Sequence, residues 1–386
     1  MRITNPMVVR NYTRNLHSNR AQLDRFARQI STGRRFDSFS QNNSAGIRAM
    51  QVRRNLARID SNLDNARAAQ AYLRSAESMM MNVTENANII NERFILALND
   101  TNGTVDREVV ATELERMQEA ILALANGQYA GRFVFGGTNT VQRPFEVRQI
   151  PAMVPVGGSP STAIIEPSGG FPAGQFVPDG TDSQGNTLYL DTLSGNHFTA
   201  QTRPLIYYNG VRVADIDRTA NPELYARVFG DGAHLDVGMN VTFSNEADPT
   251  QVDPGSAFRF TLVGLSFMGN GENNMFDTIT RMIEFLRAPY SAQNKELGGQ
   301  LLNQFQETMS VANIAITNLG ADTNFLTFTI DRLLDDQLNL RERQQELEIR
   351  PPDEAILDFK MQEFIYNATL QMGQRLLQPT LFDFIR

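Results

Sequence analysis

The adjacent glycines Gly136 and Gly137, set in FVFGGTNTVQRPF at 133–145, are the first residues whose type and spacing suggest chemistry. A phosphate loop needs a preceding strand and a wider glycine spacing, so GGTNT reads as a turn. The three histidines, His17, His197 and His234, lie too far apart for the short spacing of metal ligands. Asp335 with Asp336, and Glu346 with Glu348, are carboxylate pairs of the kind acid–base catalysis uses. They fall within heptad-spaced sequence, where such pairs are solvated or matched to bases. Ser31 and Ser38 have no local base to activate them, and the Met run 79–81 reads as helix packing. The chain has no cysteine, which removes thiolate chemistry and disulfides together. Catalytic, cofactor-binding and metal sites are each expected to be none, and the chain is read as non-enzymatic.

At 386 residues the chain is long enough for two or three domains. Its net charge of -8 is unevenly spread. The first sixty residues hold twelve arginines against Asp24, Asp37 and Asp60, while Asp331, Asp335, Asp336, Glu342, Glu346, Glu348, Asp353, Glu354, Asp358 and Glu363 make the other end acidic. Complementary ends are expected to lie together. Nucleic acid is not expected as a partner, because phosphate binders mix Lys with Arg and interleave aromatics, and the only lysines are Lys295 and Lys360. The opening MRITNPMVVRNYTRNLHSNR has no apolar signal core, and no window approaches a membrane span, so neither membrane insertion nor a cleaved signal is expected.

The elements that carry these residues follow from period. Val9, Tyr12, Leu16, Leu23, Phe26 and Ile30 alternate steps of three and four, with Asn19 in the missing place, as in a coiled-coil seam. STGRRFDSFSQNNSAG at 31–46 interrupts the pattern as a loop. It resumes from Val52 to Ala97 with only Gln70 out of character, predicting a rod of roughly 75 to 80 Å if the helix is unbroken. NDTNG at 99–103 ends the rod, and a second helix bearing Val109, Leu114, Met117, Ile121 and Leu124 doubles back. FDTITRMIEFLRAPY predicts a shorter amphipathic helix closed by Pro289. Leu302 through Leu347 then repeat the heptad spacing until Pro351 and Pro352, beyond which Ile356, Leu357, Met361, Phe364, Leu370, Leu376 and Leu377 mark a terminal helix. The middle, about 140 to 272, carries short alternating runs between Gly, Pro, Asn and Asp turns, which predict a small antiparallel β domain.

The fold class is therefore α+β: a long coiled-coil-like helical bundle built from both chain ends, with the β domain inserted. The division is 1–44 N-terminal arm and connector, 45–139 first half of the rod, 140–272 β-rich outer domain, 273–350 second half of the rod, and 351–386 C-terminal arm.

MRIT, QISTGRRFDS at 29–38, NNSAGIRAM at 42–50 and the long heptad helix after them resemble the N-terminal region of bacterial flagellins and their hook-associated relatives. FVFGGTNTVQRPF is similar to the segment with which the hook-filament junction branch of this flagellin-like family leaves its helical core. YYNGVRV at 207–213 and MFDTITRMIEFL at 275–286 are similar to that branch's later middle domain and return to the core. LQPTLFDFIR at 377–386 looks more like its Leu-Phe close than the Leu-Leu-Arg close of flagellin. Gln41, Asn42, Asn43 and Ser44 stand where the family usually has acids, so no role of those acids carries over.

The resemblance implies a structural subunit of the bacterial flagellum that joins hook to filament and allows filament assembly, or in the alternative flagellin itself. A secreted enzyme with its site in 140–272 lacks convergent acids or histidines there. A cytoplasmic coiled-coil scaffold would instead have ordered termini in the monomer. The resemblance further implies an extracellular location reached by type III export, copies of itself in a ring or tube, a neighbouring hook-associated protein on the hook side and flagellin on the filament side. A cytoplasmic chaperone on the C-terminal arm is implied as well. The residues themselves point to assembly: burying six seam side chains falls short of the entropy of ordering roughly 25 residues of an isolated arm, so the arm is expected to be disordered alone. The expected assembly interface is Val9, Tyr12, Leu16, Leu23, Phe26, Ile30, Ile356, Leu357, Met361, Phe364, Leu370, Leu377, Leu381, Phe382, Phe384 and Ile385.

Overall fold

A computed structural model describes all residues except 1–4, 37–42, 99–103, 157–163, 166–169, 183–184, 231, 240, 243–251, 254–255, 289–291 and 377–386. Helices α1 (Asn5–Thr32), α2 (Asn43–Ala97) and α3 (Thr104–Ala125) come first, then strands β1 (Gln128–Tyr129), β2 (Arg132–Phe133), β3 (Phe145–Pro155), β4 (Ile164–Ile165), β5 (Phe176–Thr181), β6 (Thr187–Asp191), β7 (His197–Tyr208) and β8 (Val211–Arg212). Short helix α4 (Pro222–Phe229), strands β9 (His234–Leu235) and β10 (Phe258–Arg259) and the single turn α5 (Leu265–Met268) lead to α6 (Met275–Arg287), α7 (Ala292–Glu348) and α8 (Pro352–Leu376). This is the α+β class expected, with the sheet inserted between long helices. The chain forms two compact units: Met1–Leu63 with Asp331–Arg386, and Asp64–Ile330.

In the Asp64–Ile330 unit the heptad residues of α2 form the core, with Ala66, Leu73, Ala76, Met80, Val83, Ala87, Ile90 and Phe94 all buried. Gln70, the one polar residue in that series, is half-buried and donates to Thr327 Oγ1 of α7 at 2.8 Å, so its carboxamide is satisfied rather than stranded. Helix α3 turns Ala111, Leu114, Gln118 and Ile121 inward against α6, and the Gln118 amide donates to the Phe276 carbonyl and Thr280 Oγ1. Val109, expected on that seam, is exposed; the place falls to Arg107, which donates to the Phe285 carbonyl at 2.9 Å and lies over its ring.

The sheet is antiparallel with order β4-β3-β7-β6-β5, and β8 adds beside β7. Strand β3 pairs with β7 along its whole length, from Phe145 opposite Tyr208 to Pro155 opposite Phe198. Asn209 and Gly210 turn β7 into β8, both with positive φ (49° and 83°), the Asn-Gly chemistry that the right-handed twist of a two-residue hairpin selects.

Two of the short alternating runs of the middle, HLDVGMNVTFS and FRFTLVGL, give little regular strand among the described residues. HLDVG contributes only His234–Leu235, because Asp236 Oδ1 accepts the Gly238 N–H at 2.8 Å and the Asx turn bends the chain away. FRFTLVGL pairs by backbone with the Gly136–Gly137 turn: the Gly137 N–H donates to the Leu262 carbonyl and the Gly264 N–H to the Phe135 carbonyl, each at 2.9 Å. Tyr208 Oη also donates to the Phe135 carbonyl, at 2.8 Å, and Asn126 brackets the backbone N–H and carbonyl of Phe145. The stretch from Asn126 to Phe145 is thus the place where helix, sheet and return segment share hydrogen bonds. Gly136 must lack a Cβ here, since one would overlap the Asn139 carbonyl oxygen, whereas a Cβ on Gly299 in α7 meets nothing. Gly136→Ala is expected to destabilise the purified chain by ~1 to 3 kcal/mol. Gly299→Ala should stabilise it by up to ~1 kcal/mol through helix propensity, and urea midpoints of the two variants check both signs.

Candidate assembly interface

In the Met1–Leu63 and Asp331–Arg386 unit, a short clasp ties the ends of α1 and α7 together. Helix α1 closes on Gly33, whose φ of +68° suits a residue without Cβ. The chain then runs antiparallel to the end of α7: the Arg35 N–H donates to the Glu348 carbonyl at 2.7 Å, and the Arg350 N–H to the Gly33 carbonyl at 3.0 Å. Arg53 grips the Glu348 carboxylate through two bonds of 2.6 Å, and this hydrogen-bonded pairing holds the Glu348 carboxyl below its ordinary pKa. Arg350 reaches Gln29 Oε1 and the Asp358 carboxylate, and its guanidinium lies 5.3 Å from the Phe26 ring centre. Pro351 and Pro352 end one helix and begin the next, Pro352 occupying a first-turn place where its missing N–H costs nothing.

Beyond the clasp α1 packs along α8. From α8 the seam residues are Ala355, Phe359, Gln362, Tyr366, Thr369 and Gly373, in alternating steps of four and three. From α1 they are Tyr12, Leu16, Asn19, Leu23, Phe26 and Gln29. Much of this seam is polar or small. Asn19 Nδ2 donates to Thr369 Oγ1 at 2.8 Å, Gln362 Nε2 donates to the Asn19 carbonyl at 3.2 Å, and Gly373 lies so close to the Tyr12 ring that a Cβ would overlap it. Polar residues at seam positions fix register and cost stability. The complementary charge of the two ends meets at the clasp, through Arg53–Glu348 and Arg350–Asp358, while the seam itself is bridged by neutral hydrogen bonds.

Tyr12, Leu16, Leu23 and Phe26 are half-buried on this seam, whereas Val9 and Ile30 are exposed. Gln29, only 2% exposed, takes the seam place that spacing assigns to Ile30, because its carboxamide donates to the Arg35 carbonyl and accepts from Arg350. Ile356, Leu357, Met361, Phe364 and Leu370 all point away from α1: Leu357 is 70% exposed and Phe364 74%. Met372 and Ile365, which the sequence reading passed over, are exposed with them. Helix α8 therefore has two longitudinal faces, a polar one against α1 and a greasy one that this single chain leaves bare. Leu377, Leu381, Phe382, Phe384 and Ile385 lie outside the described residues.

The residues first weighed for chemistry have structural neighbours. Ser31 Oγ donates to the Arg28 carbonyl at 3.0 Å, and His197 Nε2 lies 2.8 Å from Asp179 Oδ2 across the sheet. Among the described residues no group of three or more His, Asp or Glu is placed to hold a metal ion, and no helix is long and apolar enough to cross a membrane. Ser38 lies outside the described residues.

The family model of the bacterial flagellin N-terminal helical region matches residues 3–140, from α1 through the Gly136–Gly137 turn. That match covers the N-terminal third of the chain, which is similar to a flagellin-type helical region. Flagellar hook-associated protein 3 of Escherichia coli (strain K12) is 28% identical over 147 residues, which is 38% of this chain and 46% of that protein. Flagellar hook-associated protein 3 of Salmonella typhimurium is 28% identical over 148 residues, with the same shares of 38% and 46%. The matched region thus spans about half the length of these curated relatives. A solved structure from Vibrio parahaemolyticus, described as a flagellar hook-associated protein, covers 80% of this chain and 100% of its own at a TM-score of 0.50 and 15% identity, a likeness of fold.

The polar seam between α1 and α8 is open to test. Replacing Asn19 and Gln362 together by Leu is expected to raise the helix content of the isolated chain, by exchanging polar seam places for apolar ones. Far-ultraviolet circular dichroism of the variant and the parent chain checks this, and unchanged or lower helix content would contradict it.

Proposed function

We propose that this chain is a structural, non-enzymatic subunit of the bacterial flagellum that forms the junction between hook and filament. The observation that carries the reading is the bare apolar face of α8, with Leu357, Met361, Phe364 and Met372 repeating along one side of a helix whose other side is already engaged. A contiguous apolar stripe of this kind marks a surface covered by a partner. The flagellin-type region and the similarity to hook-associated protein 3 support copies of the same chain, and flagellar neighbours, as what covers it.

In this reading the arms, 1–44 and 351–386, are disordered in the free monomer and line an inner tube once assembled. The two rod halves, 45–139 and 273–350, surround that tube, and the β-rich domain, 140–272, faces outward. Val9, Tyr12, Leu16, Leu23, Phe26, Ile30, Ile356, Leu357, Met361, Phe364, Leu370, Leu377, Leu381, Phe382, Phe384 and Ile385 form the interface between subunits. Another hook-associated protein adjoins on the hook side and flagellin on the filament side. A cytoplasmic chaperone covers the C-terminal arm before export, which proceeds without a cleaved signal peptide to the extracellular flagellum.

Deleting the gene in the producing bacterium is expected to leave intact hooks without filaments, with flagellin lost to the medium, as seen by electron microscopy and immunoblotting. Phe364→Glu with Met361→Glu should reproduce that phenotype, because the substituted side chains are exposed in the single chain and their charge opposes only its assembly. Hooks that still carry normal filaments after deletion would overturn the junction reading.

A further inference from the structure

In the Asp64–Ile330 unit a cavity of about 720 Å3 opens between α7 and the β9–β10 hairpin. Its walls include Met80, Phe135, Phe229, Val311 and the stacked pair Phe258 and Phe325, whose rings lie 6.0 Å apart and nearly parallel. Ile314 stands exposed on the wall, and Phe328, one turn beyond Phe325, extends the apolar surface outside it. A volume of this size is in the range that takes a bound group rather than a single water.

One carboxylate, Asp322, sits among these apolar walls. Burial pushes its pKa up, and no neighbouring charge among the described residues offsets that. The base on the same wall, Arg259, is already engaged, donating to the Phe229 and Gly230 carbonyls at 3.1 and 3.3 Å. The groove is therefore complementary to apolar side chains accompanied by a cation.

The Met1–Leu63 part of this chain displays that pattern. Ile47, Met50 and Arg54 fall at i, i+3 and i+7 on α2 and so share one face. All three are exposed, while Ala49 and Val52 are buried. We propose that the Ile47–Met50–Arg54 face of one copy docks into this groove on a second copy, with Arg54 against Asp322. The inference rests on the self-assembly reading above and names one contact within it. Because knob and groove are different surfaces, a docked pair leaves one groove and one knob free, so further copies add head to tail into a ring or an open helix.

The absence of native cysteine makes the test clean. Full chains carrying Met50→Cys and Ile314→Cys are co-produced in the bacterium, and isolated hooks are treated with a short bismaleimide. A product of twice the chain mass is expected only when both variants are present, and not when Leu193→Cys, exposed on the turn between β6 and β7, replaces Ile314→Cys. Asp322→Arg or Arg54→Asp alone should lower its yield several-fold, and the two charge reversals together should restore it. If hooks bear filaments yet the Met50–Ile314 product is missing, or is matched by the Leu193 control, the docking contact is overturned while assembly stands. If the chain never assembles on hooks, the self-assembly reading and the docking contact fall together.

Discussion

Helix α8 can turn only one of its long faces toward α1, and the face it turns is the poorer in apolar atoms. Gln362, Thr369 and Gly373 meet Asn19 and Tyr12, while Leu357, Met361, Phe364 and Met372 look outward. Had the two faces been exchanged, the arms would pack into a stable helical pair and leave little reason to associate. The residue assignment instead gives the single chain register without much affinity, since hydrogen bonds bridging a seam contribute modest net stability, and reserves the hydrophobic gain for other contacts.

Register is set a second time by the clasp. Pairing of Arg35 with Glu348 and of Arg350 with Gly33 fixes where α1 ends relative to where α8 begins. Arg53, Gln29, Arg350 and Asp358 then tie side chains across the same junction. Polar groups concentrated here are mutually satisfied, so the arms leave from a defined point even where their own seam is weak. The Asp64–Ile330 unit follows a different logic. Its core is a continuous run of buried heptad residues joined to the sheet through Asn126, Phe145 and Tyr208, and it holds its shape by burial.

Much of this was legible in the sequence because period and punctuation are local. Steps of three and four located every long helix, and Pro351 and Pro352 placed the break between α7 and α8. Illegible were the choices that depend on a distant partner. Spacing favours Ile30 for the seam, but Gln29 wins through bonds to Arg35 and Arg350. Spacing alone also does not say which stripe of α8 faces α1. The runs around Leu235 and Leu262 look like strands of equal standing, yet one is cut short by an Asx turn and the other is drawn to the Gly136–Gly137 backbone. Polar residues at heptad positions, Asn19 and Gln362 above all, were the available signal for a register-setting seam.

Amide hydrogen exchange tests most directly whether the arms depend on neighbours for their stability. In the isolated full-length chain, amides of α1 and α8 should exchange far faster than those of Leu73–Phe94 in α2, because opening a polar seam costs little. In hooks carrying the assembled chain, the same arm amides should become as slow as the α2 core. Arms as protected as α2 in the solitary chain would contradict the dependence on assembly.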